Sequence, residues 1–102
     1  MDKKTLYVGL NDKDTKLQQI DTMEATKIAT NIICNYADGC TIYNASGIYR
    51  HENGELVIEN TLKIELIECH IETVKTIIAA LKAALNQESI ILQSETIVSE
   101  FV

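Results

Sequence analysis

The dipeptide Asn53-Gly54 joins two long runs rich in β-branched residues and tyrosine, Cys40 to His51 and Glu55 to Cys69. Both turn positions tolerate positive φ, so this is the strongest short-range signal for a β-hairpin. One helix-period segment stands on each side of the pair, Met23 to Tyr36 and Val74 to Leu85, and a further strand-like run lies at each end of the chain. The order reads β-α-β-β-α-β. With right-handed crossovers it gives an α+β ferredoxin-like sandwich, a four-stranded antiparallel sheet with two helices on one face.

Local patterns support each element. Leu6, Val8 and Leu10 alternate with Thr5, Tyr7 and Gly9 in the period of a half-buried strand. Asp21 with Glu24 three residues on forms a capping box before the stripe Ala25, Ile28, Ala29, Ile32, Ile33 and Tyr36. Asp38-Gly39 suits a left-handed closing turn. Val74, Ile77, Ile78, Leu81 and Leu85 form a second stripe with Asn86 as terminator. Ser89 to Val102 is the last strand run, with a bulge or bend expected at Ser94, Glu95 and Thr96.

A two-residue turn makes opposite hairpin positions sum to 107. It pairs Tyr49 with Ile58, Ala45 with Leu62, Tyr43 with Ile64 and Thr41 with Leu66 on one apolar, helix-facing side. A bulged three-residue turn would exchange the faces of one strand, so this clean sorting favours the tighter turn. The face left open then carries Tyr7, Ile42, Ile48, Ile67, Ile91 and Ile97 among Lys63, Glu59 and Glu65. So many large apolar groups predict self-association, as a homodimer or higher oligomer, through that face or an edge strand.

Composition narrows the function classes. A length of 102 residues, 46% hydrophobic and without proline, fits a single domain spanning 1–102. Nine basic against fifteen acidic residues give a net charge of −6, which opposes direct binding to nucleic acid or anionic membranes. Cys34, Cys40 and Cys69 form no CxxC pair, and no apolar run approaches a membrane span or a signal core. The expectation is a cytoplasmic protein.

Gly39-Cys40-Thr41-Ile42-Tyr43, Gly47-Ile48-Tyr49-Arg50, Gly54 and Gln87-Glu88-Ser89-Ile90 resemble a family of small bacterial proteins of unknown function. In that family a helix-ending Gly precedes a strand, a Gly-x-aromatic-Arg segment leads into a hairpin, and a Gln-x-Ser segment opens the last strand. The resemblance implies a ferredoxin-like fold over residues 5 to 102 and names no activity. Its members are often exported, and no export signal is visible here. The architecture is also similar to signal-binding P-II proteins, which place ligands between protomers, but their phosphate-loop sequences are absent.

Arg50, the sole arginine, stands between Tyr49 and His51 at the hairpin end, where a guanidinium could grip a carboxylate or phosphate. The competing role is a solvated ion pair with Glu52 or Glu59. Tyr43 and Tyr49 could stack on a ligand ring, against a core-packing role. With Lys63, these give the candidate ligand set Arg50, His51, Tyr49, Tyr43 and Lys63. Cys69 and His70, as adjacent strand residues, point apart and make no metal set. Asp12 and Asp14 lack the Gly and distal Glu of a calcium loop. Glu59, Glu65, Glu68 and Glu72 read as a solvated acidic face.

No metal, cofactor or catalytic residue is therefore assigned. The expected function is a non-enzymatic, homo-oligomeric regulatory protein that holds a small anionic or nucleotide-like ligand between protomers. One alternative is an acidic inhibitor or adaptor, encoded by a phage or mobile element, that blocks a basic protein partner handling nucleic acid. The other is a cofactor-free dimeric enzyme of the ferredoxin-like type.

Overall fold

A computed structural model describes residues 1–102. The elements run β1 (Asp2–Gly9), α1 (Thr22–Cys34), β2 (Thr41–Arg50), β3 (Leu56–Ile67), α2 (Ile71–Ala84) and β4 (Ile91–Thr96). The strands form one antiparallel sheet in the order β2-β3-β1-β4. Both helices cover one face, so the α+β ferredoxin-like arrangement is as the residue pattern indicates. No helix is long and apolar enough to cross a membrane.

The core lies between that face and the helices. Leu6 and Val8 of β1 and Leu62, Ile64 and Leu66 of β3 meet Ala25, Ala29 and Ile33 of α1 and Val74, Ile77 and Leu81 of α2, all withdrawn from water. Each large side chain buried there stabilises the fold by about 1.5–3 kcal/mol. The alanines of α1 let its backbone approach the sheet closely.

Helix ends depart from expectation in instructive ways. Asp21 does cap α1, its carboxylate accepting from the Glu24 N–H at 2.9 Å. The helix stops at Cys34, and Asp38-Gly39 makes no left-handed closure, because Gly54 is the one glycine with positive φ. α2 starts three residues earlier than the apolar stripe implies. His70 caps it, Nδ1 accepting from the Glu72 N–H at 3.2 Å, a role that occupies one of the two imidazoles. Asn86 ends α2 as expected, at φ 49°, with the Gln87 N–H returning to the Lys82 carbonyl. β4 pairs without a bulge from Ile91 to Thr96 and stops there.

The hairpin register corrects the sequence expectation. His51 and Glu55 close a three-residue loop, the Gly54 N–H reaches the His51 carbonyl, and Gly54 sits at φ 88°. This is a turn followed by a left-handed bulge residue, the next most favoured hairpin connection after two-residue loops. Opposite positions therefore sum to 106: Tyr49 pairs with Val57, Ala45 with Thr61, Tyr43 with Lys63, and Ile42 with Ile64. The faces of β3 are as expected and those of β2 are exchanged. Tyr43 and Tyr49 lie on the open face, whereas Ile42 turns toward the helices.

The apolar sorting misled because it assumed that the helices roof the whole hairpin. They do not reach its distal part, so Ile48, Leu56 and Ile58, on the helix-side face, remain 64%, 57% and 65% exposed. Turn geometry set the register instead.

Candidate functional site

The register builds a groove at the hairpin end of the open face. Gly9, Thr61 and Ala45 stand in one row across β1, β3 and β2, followed by Glu59 opposite Gly47 and Val57 opposite Tyr49. Small side chains along this line make a floor, and Tyr7, Tyr49 and Ile91 rise around it. The space measures about 740 Å³, within the range of small-molecule clefts. Its rim is formed by the loop after β1, including Lys13 and Lys16, by the segment Gln87 to Ser89, and by His51 and Glu55 on the hairpin.

Glu59 lies across the floor. A Cβ on Gly9 would fall 2.4 Å from its Oε1, and one on Gly47 would fall 2.9 Å from the Thr61 hydroxyl. Both glycines are therefore needed for close approach and not for unusual backbone angles. Glu59 Oε2 accepts from the Asn11 N–H at 3.0 Å, which anchors the carboxylate while leaving lone pairs for a ligand.

The rim loop is itself clamped. The Asp12 carboxylate accepts from the backbone of Asp14 and Thr15 and from the Asn86 amide at 2.8 Å, which also reaches Asp14. The Asn86 amide holds the Asp12 carboxyl below its usual range. Gln87 donates to the Asn11 carbonyl at 2.9 Å. The Asn11 to Thr15 segment is thus a polar clasp to the end of α2.

The candidate ligand residues do not form one set. Tyr49 and His51 line the groove, with their rings edge-on at 5.5 Å. Arg50 points to the other face of the hairpin and donates to the Gly54 carbonyl at 2.8 Å. Neither Glu52 nor Glu59 pairs with it. Tyr43 and Lys63 belong to a separate polar cluster farther down the open face. Lys63 Nζ stands 5.3 Å from the Tyr43 ring centre, and the Tyr43 hydroxyl donates to Glu65 at 3.0 Å.

Glu65 also pairs with Lys3 at 2.7 Å, and Lys3 reaches Glu95 at 3.5 Å. Hydrogen bonding to Lys3 lowers the Glu65 pKa, the same contact raises that of Lys3, and the Glu65 carboxylate raises that of Tyr43. The open face is therefore half ion-paired network and half groove. Glu65 is a held pair and Glu59 a groove residue, where composition suggested only a solvated acidic face. Tyr7, Gly9, Gly47 and Glu59 were missed as site residues. Glycines inside two strands were the available signal, because such positions mark a close approach.

Residues 3–101 match the model of a family described as a protein of unknown function, DUF3574. No curated protein matches the chain. Among solved structures, a phage SAM lyase in complex with S-methyl-5'-thioadenosine aligns with a TM-score of 0.68 at 23% identity, covering 92% of this chain and 79% of that one. CutA from Synechococcus elongatus PCC7942 aligns with a TM-score of 0.60 at 13% identity, over 95% of this chain and 76% of that one. CutA1 from Oryza sativa gives 0.60 at 20% identity, over 99% and 84%. These likenesses establish a shared fold.

Proposed function

Because the chain belongs to the DUF3574 family, whose description assigns no activity, we propose its function from the groove: a binding protein that holds a nucleoside-like small molecule against the open sheet face, in a cleft completed by a second copy of the chain. The observation that carries this reading is Glu59, anchored across a glycine floor between Tyr7 and Tyr49. A tyrosine ring offers a planar base a stacking surface, and a carboxylate accepts from ribose hydroxyls or an exocyclic amine. The fold shared with a phage SAM lyase holding S-methyl-5'-thioadenosine supports the same ligand class.

Charge narrows the anionic ligand expected from sequence. Asp12, Glu55, Glu59 and Glu88 face the groove against Lys13 and Lys16. Acidic excess favours a neutral or cationic nucleoside over a polyphosphate. Thermal melts test this, since a ligand that binds the folded chain raises its melting temperature. S-methyl-5'-thioadenosine is expected to raise it and ATP to leave it unchanged. The reverse order, or no response to either, contradicts the reading.

The same acidic excess favours a second reading, turnover of S-adenosylmethionine, whose sulfonium is a cation. Chromatography of that compound after incubation with the chain tests it. Attack of the substrate's own carboxylate on the carbon next to the sulfonium breaks the C–S bond and gives S-methyl-5'-thioadenosine with homoserine lactone, so both products forming faster than in a protein-free control support turnover, and a rate equal to that control removes it.

A further inference from the structure

Two surfaces of this chain are left uncovered, and they match. The first is the distal part of β2 with the hairpin arm. β2 is an edge strand, and from Thr41 to Tyr49 it has no charge, proline or bulge. Edge strands are ordinarily protected by one of these devices, because their free N–H and C=O groups accept another strand. Beside this edge lie exposed Ile48, Leu56 and Ile58, and Arg50, whose guanidinium has no carboxylate partner.

The second is the segment 97–102, Ile-Val-Ser-Glu-Phe-Val. It follows β4 on the opposite edge of the sheet, tied only at Ile97, which exchanges hydrogen bonds with Met1. Val98, Phe101 and Val102 are fully exposed, and Glu100 has no cationic partner. Its composition is that of a strand.

The two cannot meet within one chain. Ile97 is level with Met1, whereas Ala45 is level with Gly9, eight residues along β1, so the arm starts about 26 Å farther along the sheet at roughly 3.3 Å per residue. The strands β3 and β1 also intervene between β2 and β4, adding about 14 Å across the sheet at 4.7–4.9 Å per spacing. The five residues after Ile97 span at most about 18 Å.

We propose that residues 98–102 of one copy add as a strand along the distal β2 edge of a second copy, with Glu100 pairing to the neighbour's Arg50. The period of two makes the arrangement consistent on both faces. In the antiparallel register that sets Glu100 beside Arg50 on the helix-side face, Val102 falls level with Ile48 and Ile58 and covers them. Phe101 then falls on the open face beside Tyr49, where it supplies the missing wall of the groove. Such a contact is head-to-tail, so it closes a ring or propagates. This inference rests on the proposed function for its ligand cleft, and it identifies the segment that completes that cleft.

Light scattering on size-exclusion chromatography tests it by charge exchange. The wild-type chain is expected to assemble. Arg50→Glu and Glu100→Arg are each expected to shift the population toward monomer, and the double variant to recover the assembly, which also shows that the single variants retain the fold. A monomeric wild-type chain, single variants that stay assembled, or a double variant that stays dissociated each overturns the proposal. Titration with S-methyl-5'-thioadenosine separates the two ideas. Binding by a monomeric wild-type chain overturns the strand addition and the part played by a second copy, and leaves nucleoside binding in the groove standing, whereas an assembly restored in the double variant without nucleoside binding does the reverse.

Discussion

At the scale of single residues, the site depends on two positions that lack a side chain. A methyl group at Gly9 would displace the Glu59 carboxylate, the flexible end of a side chain, and would leave the backbone in place. Gly9→Ala is therefore expected to fold with little loss of stability, while nucleoside affinity falls about 10-fold or more, the scale of one charge-assisted hydrogen bond. Calorimetric titration beside a thermal melt checks both halves. Glu65 makes a different prediction. Its folded pKa lies below the ordinary carboxylate value, so the Lys3 contact stabilises the fold above that value and is lost as pH falls through the folded pKa. Urea midpoints of wild type and Glu65→Gln should differ at pH 7 and converge once the pH has fallen below the folded pKa of Glu65. A gap that persists at low pH would assign the effect to packing.

Among the elements, those with a strong period were legible and those decided by turn geometry were not. The buried sets of β1, β3 and both helices follow from spacing, since one face of each meets the core, apart from Tyr36, which lies past the end of α1 and is exposed. β2 escaped because its register is set by three residues at its tip, and a slip of one position turns every side chain over. Apolar sorting thus sends Tyr43 and Tyr49 to the core, while they stand on the open face. Arg50 is the sole guanidinium of the chain, yet strand parity aims it away from the groove. Glu59 was hidden because a carboxylate on an acidic chain looks ordinary until the glycine row beneath it is known. Gly54 carries the register, and nothing crowds it, so any penalty there is conformational. Gly54→Ala is expected to cost about 1–2 kcal/mol through its positive φ. Chemical denaturation should show that loss, and an unchanged midpoint would mean that the turn does not hold the hairpin.

For the whole molecule, sheet order and helix placement put the floor, Glu59 and the aromatic walls at one end of an elongated body of 46 × 25 × 24 Å. The ion-paired cluster of Lys3, Tyr43, Lys63 and Glu65 lies on the other part of the open face beside the exposed Ile67. Calorimetric titration of the wild-type chain and Glu59→Gln with S-methyl-5'-thioadenosine tests the central claim most directly. Saturable binding at one nucleoside per chain, weakened at least 10-fold by the substitution, is the predicted result. Absence of saturable heat in the wild type, or equal affinity in the two proteins, would contradict it.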